Sequence, residues 1–415
     1  MLLKRSNGMS QPPHSREQRR GRFTAGKSWC FAMLLCTGIA QAALIDPDAA
    51  PADSDNEPLA SALTPQAWVQ VERSIESALV WLATQQLADG SYAAPANAQP
   101  AATSFAIMAY LSKGYRPGEG PYGKQIDRAI DCVLRMQQSN GLLAFAGDAS
   151  SVGDEIQQQN GRVPISSKSA NYNHAISALM LTEVYGTTDR IRAAKLKPAI
   201  IKALDFSRRV QIQPKSYPQD KGGWRYLNNS VSGDSDLSVT SWELMFFRSA
   251  KNAEFPVPKE FAEDAVGYVL RCWDENQGIF YYKKSGSEQR WSRGMVGAGI
   301  LSMAMAGQHQ TRIARRAGDW LLTRPFQGFG ESVGNGDRFF YSAYYCSQAM
   351  AQLGGRYWKQ FFPPLVSALL EAQQPSGEWP PEPYGSDRVF GNTYTTAMAV
   401  LSLTPPLQLL PVYQR

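Results

Sequence analysis

The densest set of residues able to do chemistry lies in residues 222–242, GGWRYLNNSVSGDSDLSVTSW. Two carboxylates, Asp234 and Asp236, stand with Ser235 and Ser238 directly ahead of an apolar run. A second negative charge nearby favours the neutral form of a carboxyl group, and a protonated aspartic acid is a general acid. The same residue types are good helix N-caps, because Asp and Ser oxygens accept from the free N–H groups of a first turn. Gly222 and Gly223 permit a tight turn before the carboxylates. Trp224 and Tyr226 add aromatic faces.

Other candidates stand near the starts of further apolar runs. His174 follows Tyr172 and Asn173. It is either a proton-transfer group or pocket donor, or a histidine satisfied at a helix start. Arg293, Tyr341 and Tyr394, with Tyr344, Tyr345 and Thr393, offer a cation, phenols and a hydroxyl for holding a ligand. Tyr344 and Tyr345 are adjacent, so at most one of them is expected to face a cavity. Aromatic walls attract cations through the ring quadrupole; equally, large rings fill the space between helix layers. Beyond residue 43 the histidines are His174 and His309, and no Asp-x-Cys occurs. We therefore expect neither a zinc site nor a cofactor. Gly-x-Ser-x-Gly and His-Glu-x-x-His are absent from the sequence.

Whatever these residues do, a repeated element must position them. Six times an apolar helical run ends in a glycine turn and a second apolar run follows. The turns are Gly90-Ser91-Tyr92, Gly141-Leu142-Leu143, Gly223-Trp224, Gly278-Ile279-Phe280, Gly328-Phe329 and Gly377-Glu378-Trp379. Most spacings are roughly fifty residues, in the range of repeat architectures. The first helix of each pair is amphipathic, as in Val266, Val269, Leu270 and Trp273, or Ile313, Ala317, Trp320 and Leu321. The second is apolar on most sides and rich in small residues, as in 106–111, 175–181, 239–247, 298–305, 343–351 and 397–403. One hairpin cannot bury both faces, but six closed into a ring can. The expected fold is all-α: an α/α toroid of six helical hairpins with inner and outer helix rings. Helix starts from distant repeats would then meet at one mouth.

Around this domain, residues 66–415, two shorter segments stand apart. Residues 1–43 combine Lys4, Arg5, Arg16, Arg19, Arg20, Arg22 and Lys27 with an apolar run and Ala40-Gln41-Ala42, the pattern of an export signal. Residues 44–65 are rich in Pro, Ala and Asp, and a disordered linker is expected. The signal also explains the charge. Of 42 basic and 36 acidic residues in the chain, seven and one fall in 1–43, leaving 35 of each. A neutral mature chain has no electrostatic footprint for nucleic acid. Cys132, Cys272 and Cys346 are too few and too scattered for a disulfide framework. Two longer segments, 144–170 and 211–222, lie beside the turns and could cover the ring mouth, as lids or as disordered loops.

The pattern Gln-x(2–3)-Gly-x-aromatic, at Gln86…Gly90-Ser91-Tyr92 and Gln374…Gly377-Glu378-Trp379, resembles the glutamine–tryptophan repeat of squalene and oxidosqualene cyclases. A weaker form occurs in protein prenyltransferase β-subunits. Further stretches resemble exported bacterial prenyltransferase/squalene-oxidase-repeat proteins. They are residues 172–176, 222–226 and 234–240 and the tail 410–415. In the cyclases an Asp-x-Asp-Asp motif supplies the acid that protonates an alkene. The resemblance implies that role for Asp236, with Asp234 and His174 beside it. Trp224, Tyr226, Arg293, Tyr341 and Tyr394 would bind substrate. Leu237 replaces the last aspartate of the motif. Three functions follow as expectations: a diverged terpenoid-cyclase-like enzyme on an apolar polyisoprenoid, a non-catalytic toroid binding lipid, glycan or peptide, and a polysaccharide-acting enzyme. The expected partner is a small apolar molecule or glycan in the central cavity, with peripheral membrane contact. The expected location is the periplasm or cell envelope.

Overall fold

The computed structural model describes residues 57–145, 165–227, 233–286, 289–334, 336–382 and 386–414. The chain divides into Met1–Ala42 and Ala43–Arg415, and every described residue belongs to the second unit. The expected signal lies outside the described residues, as does most of the 144–170 segment.

Twelve helices form six hairpins among the described residues. In chain order they are α1 (Pro65–Thr84), α2 (Ala101–Ser112), α3 (Gly123–Arg135), α4 (Ile165–Tyr185), α5 (Arg190–Gln211), α6 (Leu237–Asn252), α7 (Lys259–Arg271), α8 (Arg293–Met305), α9 (Arg312–Leu322), α10 (Phe339–Leu353), α11 (Gly355–Ala372) and α12 (Gly391–Leu403). The six even-numbered helices are the inner ones. Every residue of α2, α8 and α10 is buried, as their unbroken apolar and small-residue sequences require. The odd-numbered helices bury one stripe, for example Ile126, Ala129, Ile130 and Val133 of α3. Thr64, Asp189, Asp236, Ser292 and Thr311 cap helices by accepting from a backbone N–H three residues on. The one described sheet is a two-stranded antiparallel pair, β1 (Trp273–Asp274) and β2 (Ile279–Phe280). Trp273, expected on the helix stripe, lies just past the end of α7 in β1.

The ring closes. Each inner helix packs against the next, from α2 through α4, α6, α8 and α10 to α12, and α12 packs back against α2. Across the seam, Thr393 donates to the carbonyl of Ala93 at 2.7 Å.

Four glutamines rivet one hairpin to another. Gln86 Nε2 donates to the carbonyls of Gly90 and of Gln125 in the next outer helix. Gln137 does the same for Gly141 and Ala199, and Gln211 for Gly222 and Phe261. Gln373 donates to Gly377 and to Ser74 in α1, so the fourth rivet joins the last outer helix to the first. The sequence pattern points to Gln374, but the neighbour Gln373 makes the bonds, while Gln374 Nε2 turns to the carbonyl of Ala372. The glycines of these turns have left-handed backbones and lie against the next helix: a Cβ at Gly222 would fall 2.1 Å from the Asp264 carbonyl. Gly328 lies in open space, so the fifth turn departs from the pattern.

The chain ends also do structural work. The last residues of the expected linker, 57–65, are part of the fold. Leu59–Ala62 forms a 3-10 turn, and Leu59, Ala62 and Leu63 pack against the core. Leu59 also accepts from the Trp358 indole at 2.7 Å. These apolar residues bury surface that a Pro/Asp/Ala segment cannot. At the other end, the 3-10 turn Pro411–Tyr413 is pinned against the later turns of the inner helices. Val412 N donates to Glu183, Gln352 to the Tyr413 carbonyl, and the phenols of Tyr413 and Tyr344 hydrogen-bond.

Candidate functional site

Residues near the starts of α2, α6, α10 and α12, with α4 and adjoining loops, enclose a cavity of about 490 Å³. That volume lies in the roughly 300–1,000 Å³ range of small-molecule sites. Ala101, Ala102, Phe105, Ile176, Trp242, Val389 and Phe390 make the wall mainly apolar. Trp242 lies roughly 9 Å down α6 from its cap Asp236, at about 1.5 Å per residue. It stacks on Tyr344 with ring centroids 5.3 Å apart. The phenols of Tyr172, Tyr226, Tyr341 and Tyr394, the guanidinium of Arg338, and Asn97, Ser169 and Asn173 supply the polar points.

Three of the eight residues singled out in the sequence meet at this wall: Tyr226, Tyr341 and Tyr394. Tyr341 hydrogen-bonds Ser238 at the start of α6, and Tyr172 donates to the same hydroxyl at 2.9 Å. Tyr394 accepts from Arg338 Nη2 at 3.2 Å and lies edge-on to Phe105. Tyr344 and Tyr345 are both buried in the packing beside Trp242.

Asp236 stands one layer behind the wall, fully buried. Its Oδ1 caps α6 by accepting from Val239 N at 2.9 Å. Its Oδ2 accepts from the Tyr282 phenol at 2.9 Å and lies 3.7 Å from Arg225 Nε. Tyr282 in turn is 3.2 Å from the phenol of Tyr226, which faces the cavity. Burial pushes Asp236 up to about 6, against the opposing pull of Arg225 and its hydrogen bonds. Asp234 has no part in this. Its Oδ2 accepts from Ser216 N and its own N–H donates to Asp220, so it braces the 211–222 segment against the loop. Burial, not a carboxylate neighbour, makes Asp236 less acidic.

The remaining three expected residues sit between helix layers. His174 Nδ1 accepts from Leu143 N at 3.1 Å, and Nε2 lies 3.0 Å from Ser207 Oγ, which donates to Glu243 at 2.7 Å. Other repeats use threonine for the first bond: Thr103, Thr240 and Thr396 accept from Tyr92, Trp224 and Trp379 N. His174 is thus the second repeat's version of that clamp. Burial holds it down to about 3, and so neutral. Trp224 is fully buried and donates its indole N–H to the Ser207 carbonyl at 2.8 Å. Arg293 is fully buried, paired with Asp337 at 2.9 Å, donating to the Pro325 and Glu331 carbonyls and lying over Phe326.

Sequence reasoning missed Phe105, Trp242, Tyr282 and Arg338. Arg338 precedes α10 much as Arg293 opens α8, so the same signal that picked out one arginine was available for the other. Among the described residues, no group of three His, Cys, Asp or Glu side chains could hold a metal ion. No described helix is long and apolar enough to cross a membrane.

No family model matches the chain, and no curated protein sequence matches it. Solved structures do. A variant of the type II terpene cyclase MstE from Scytonema, in complex with its substrate geranylgeranyl dihydroxybenzoate, matches at TM-score 0.51 and 15% identity, over 84% of this chain and 100% of that one. A wild-type glycosidase matches at TM-score 0.54 and 13% identity, over 84% and 100%. A protein from Actinoplanes matches at 0.53 and 15%, over 81% and 99%. At these identities the likeness concerns the fold alone: the chain shares the α/α toroid fold of these structures.

Proposed function

We propose that this toroid holds a small apolar molecule of isoprenoid type in its central cavity. The aromatic and aliphatic wall around 490 Å³ carries the reading, since burying apolar ligand surface stabilises a complex by roughly 25 cal/mol per Å² before binding costs. Hydrolysis of glycosides normally needs two carboxyl groups flanking the scissile bond, and no described lining residue is Asp or Glu. That disfavours the polysaccharide alternative. The cyclase neighbour's substrate, an isoprenoid, is in line with the apolar reading. The leader pattern of 1–43 supports export to the periplasm or cell envelope, which cell fractionation and N-terminal sequencing would check.

Binding is tested by calorimetric titration of the purified protein with geranylgeraniol and, separately, with a linear hexasaccharide. Heat of binding is expected with the isoprenoid and not with the saccharide. Ile176→Trp, which fills the cavity, should abolish it. Saccharide binding with no isoprenoid binding would sink the proposal.

A second reading, proton-transfer catalysis, draws on the chain Asp236–Tyr282–Tyr226. It gives the buried carboxylate a hydrogen-bonded path to the cavity wall. In this reading Tyr226 accepts a proton from the ligand, Tyr282 accepts one from Tyr226, and Asp236 takes the last. Asp236→Asn keeps a capping oxygen but cannot take that proton. Unchanged turnover of an identified substrate in this variant would remove Asp236 from the mechanism.

A further inference from the structure

Two arginines stand at the starts of neighbouring inner helices and meet different fates. Arg293, at α8, has no exposure, and its Nε, Nη1 and Nη2 all donate to protein acceptors. Arg338, at α10, lines the cavity with 29% of its side chain exposed. Asp387, itself fully buried, holds Nε from behind. Tyr394 accepts from Nη2, and the rings of Tyr341 and Phe390 lie 4.8 and 5.5 Å from the guanidinium carbon. No described residue accepts from Nη1. It is the only cationic side chain on the described wall. Its side chain is partly exposed, and a guanidinium held in its plane by Asp387 and Tyr394 is well suited to a carboxylate or phosphate.

We propose that the cavity's ligand is an anionic amphiphile, whose carboxylate or phosphate head is bound by Arg338 while its isoprenoid tail lies against Phe105, Ile176 and Trp242. This rests on the apolar-ligand reading above and adds the head group. Depth orders the two ends. Arg338 stands at the N-cap position of α10, and Val389, on the same wall, is largely exposed to solvent. Trp242, by contrast, is fully buried and lies a turn and more down α6. The head therefore sits at the mouth and the tail runs inward. Tyr394, already bonded to Nη2, and Tyr341, whose ring the guanidinium covers, hold the arginine and leave its outer edge for the head.

The test is calorimetric titration of the purified protein with three C20 probes: geranylgeraniol, geranylgeranoic acid and geranylgeranyl phosphate. The wild type is expected to bind at least one anion tenfold or more tightly than the alcohol. The anion that gains identifies the head chemistry. Arg338→Gln should bring the anions down to the alcohol's affinity while leaving the alcohol's own affinity within about twofold. That variant strands the buried Asp387, so the paired replacement Arg338→Gln with Asp387→Asn removes both charges and keeps the comparison intact if the single variant fails to fold. Equal binding of all three probes by the wild type overturns the head-group assignment and leaves the apolar-ligand reading standing. Failure of all three to bind overturns both.

Discussion

Gln373 and Ser74 fasten the two ends of the ring together, with Gln373 Nε2 donating to the Ser74 carbonyl at 2.9 Å and its Oε1 accepting from Ser74 Oγ at 2.6 Å. The same nitrogen donates to Gly377 at 2.7 Å. Gln373→Ala leaves these half-buried groups without their partner and is expected to destabilise the domain by about 1–3 kcal/mol. Gln374→Ala should have a far smaller effect. Urea unfolding of both variants checks this, and equal losses would contradict the rivet assigned to Gln373.

The turn glycines should divide into two classes. Gly377 has φ +106°, and a Cβ there would meet the Ser77 carbonyl at 2.4 Å. Gly377→Ala is expected to cost about 1–3 kcal/mol or more through strain and displacement of α1. Gly328 has nothing within 4 Å and no left-handed backbone. Gly328→Ala should be neutral or stabilise by about 0.4–1 kcal/mol through the unfolded state. Thermal unfolding of the two variants side by side distinguishes them.

His174 makes stability depend on acid. Its folded-state value is held down to about 3 from 6.5, so below about 6.5 the unfolded chain binds a proton that the folded chain refuses. Stability contributed by neutral His174 is present above 6.5 and lost as pH falls towards 3. His174→Thr, which keeps an acceptor for Leu143 N as the other repeats do, should flatten that acid limb while lowering stability at neutral pH through the smaller side chain. Urea midpoints measured between pH 4 and pH 7 test it, and an unchanged slope in the variant would refute the assignment.

Glu243 acts in the opposite direction. Burial raises it to about 8 from 4.5, so the folded chain keeps a proton that the unfolded chain gives up. Its contribution is complete below about 4.5 and disappears as pH rises through 8. Glu243→Gln retains an oxygen for Ser207 Oγ and cannot ionise. The variant is expected to gain thermal stability relative to wild type at pH 9 and to show little gain at pH 5. A gain independent of pH would show that Glu243 is not protonated in the fold.

The six hairpins were legible because their causes are local. Glycine turns, small-residue helices such as 298–305 and amphipathic stripes each act over a few residues. Asp236 was legible as a cap for the same reason, since capping needs only its own first turn. The rivet was off by one, because Gln373 and Gln374 are both glutamine and only the rotation of the last turn of α11 selects between them.

Sequence alone fixed a closed ring of paired helices and the helix starts that gather at its mouth. It could not rank those starts. Arg293 and Arg338 look alike on paper, and so do Tyr341 and Tyr345, yet one of each pair reaches the cavity and the other lies in the packing. For the arginines the difference is one step of register at the helix start, which turns a side chain by about 100°, whereas Tyr341 and Tyr345 share one face of α10 and differ in depth by about 6 Å. Register and depth are set by how six helices pack against one another, through contacts between residues far apart in the chain.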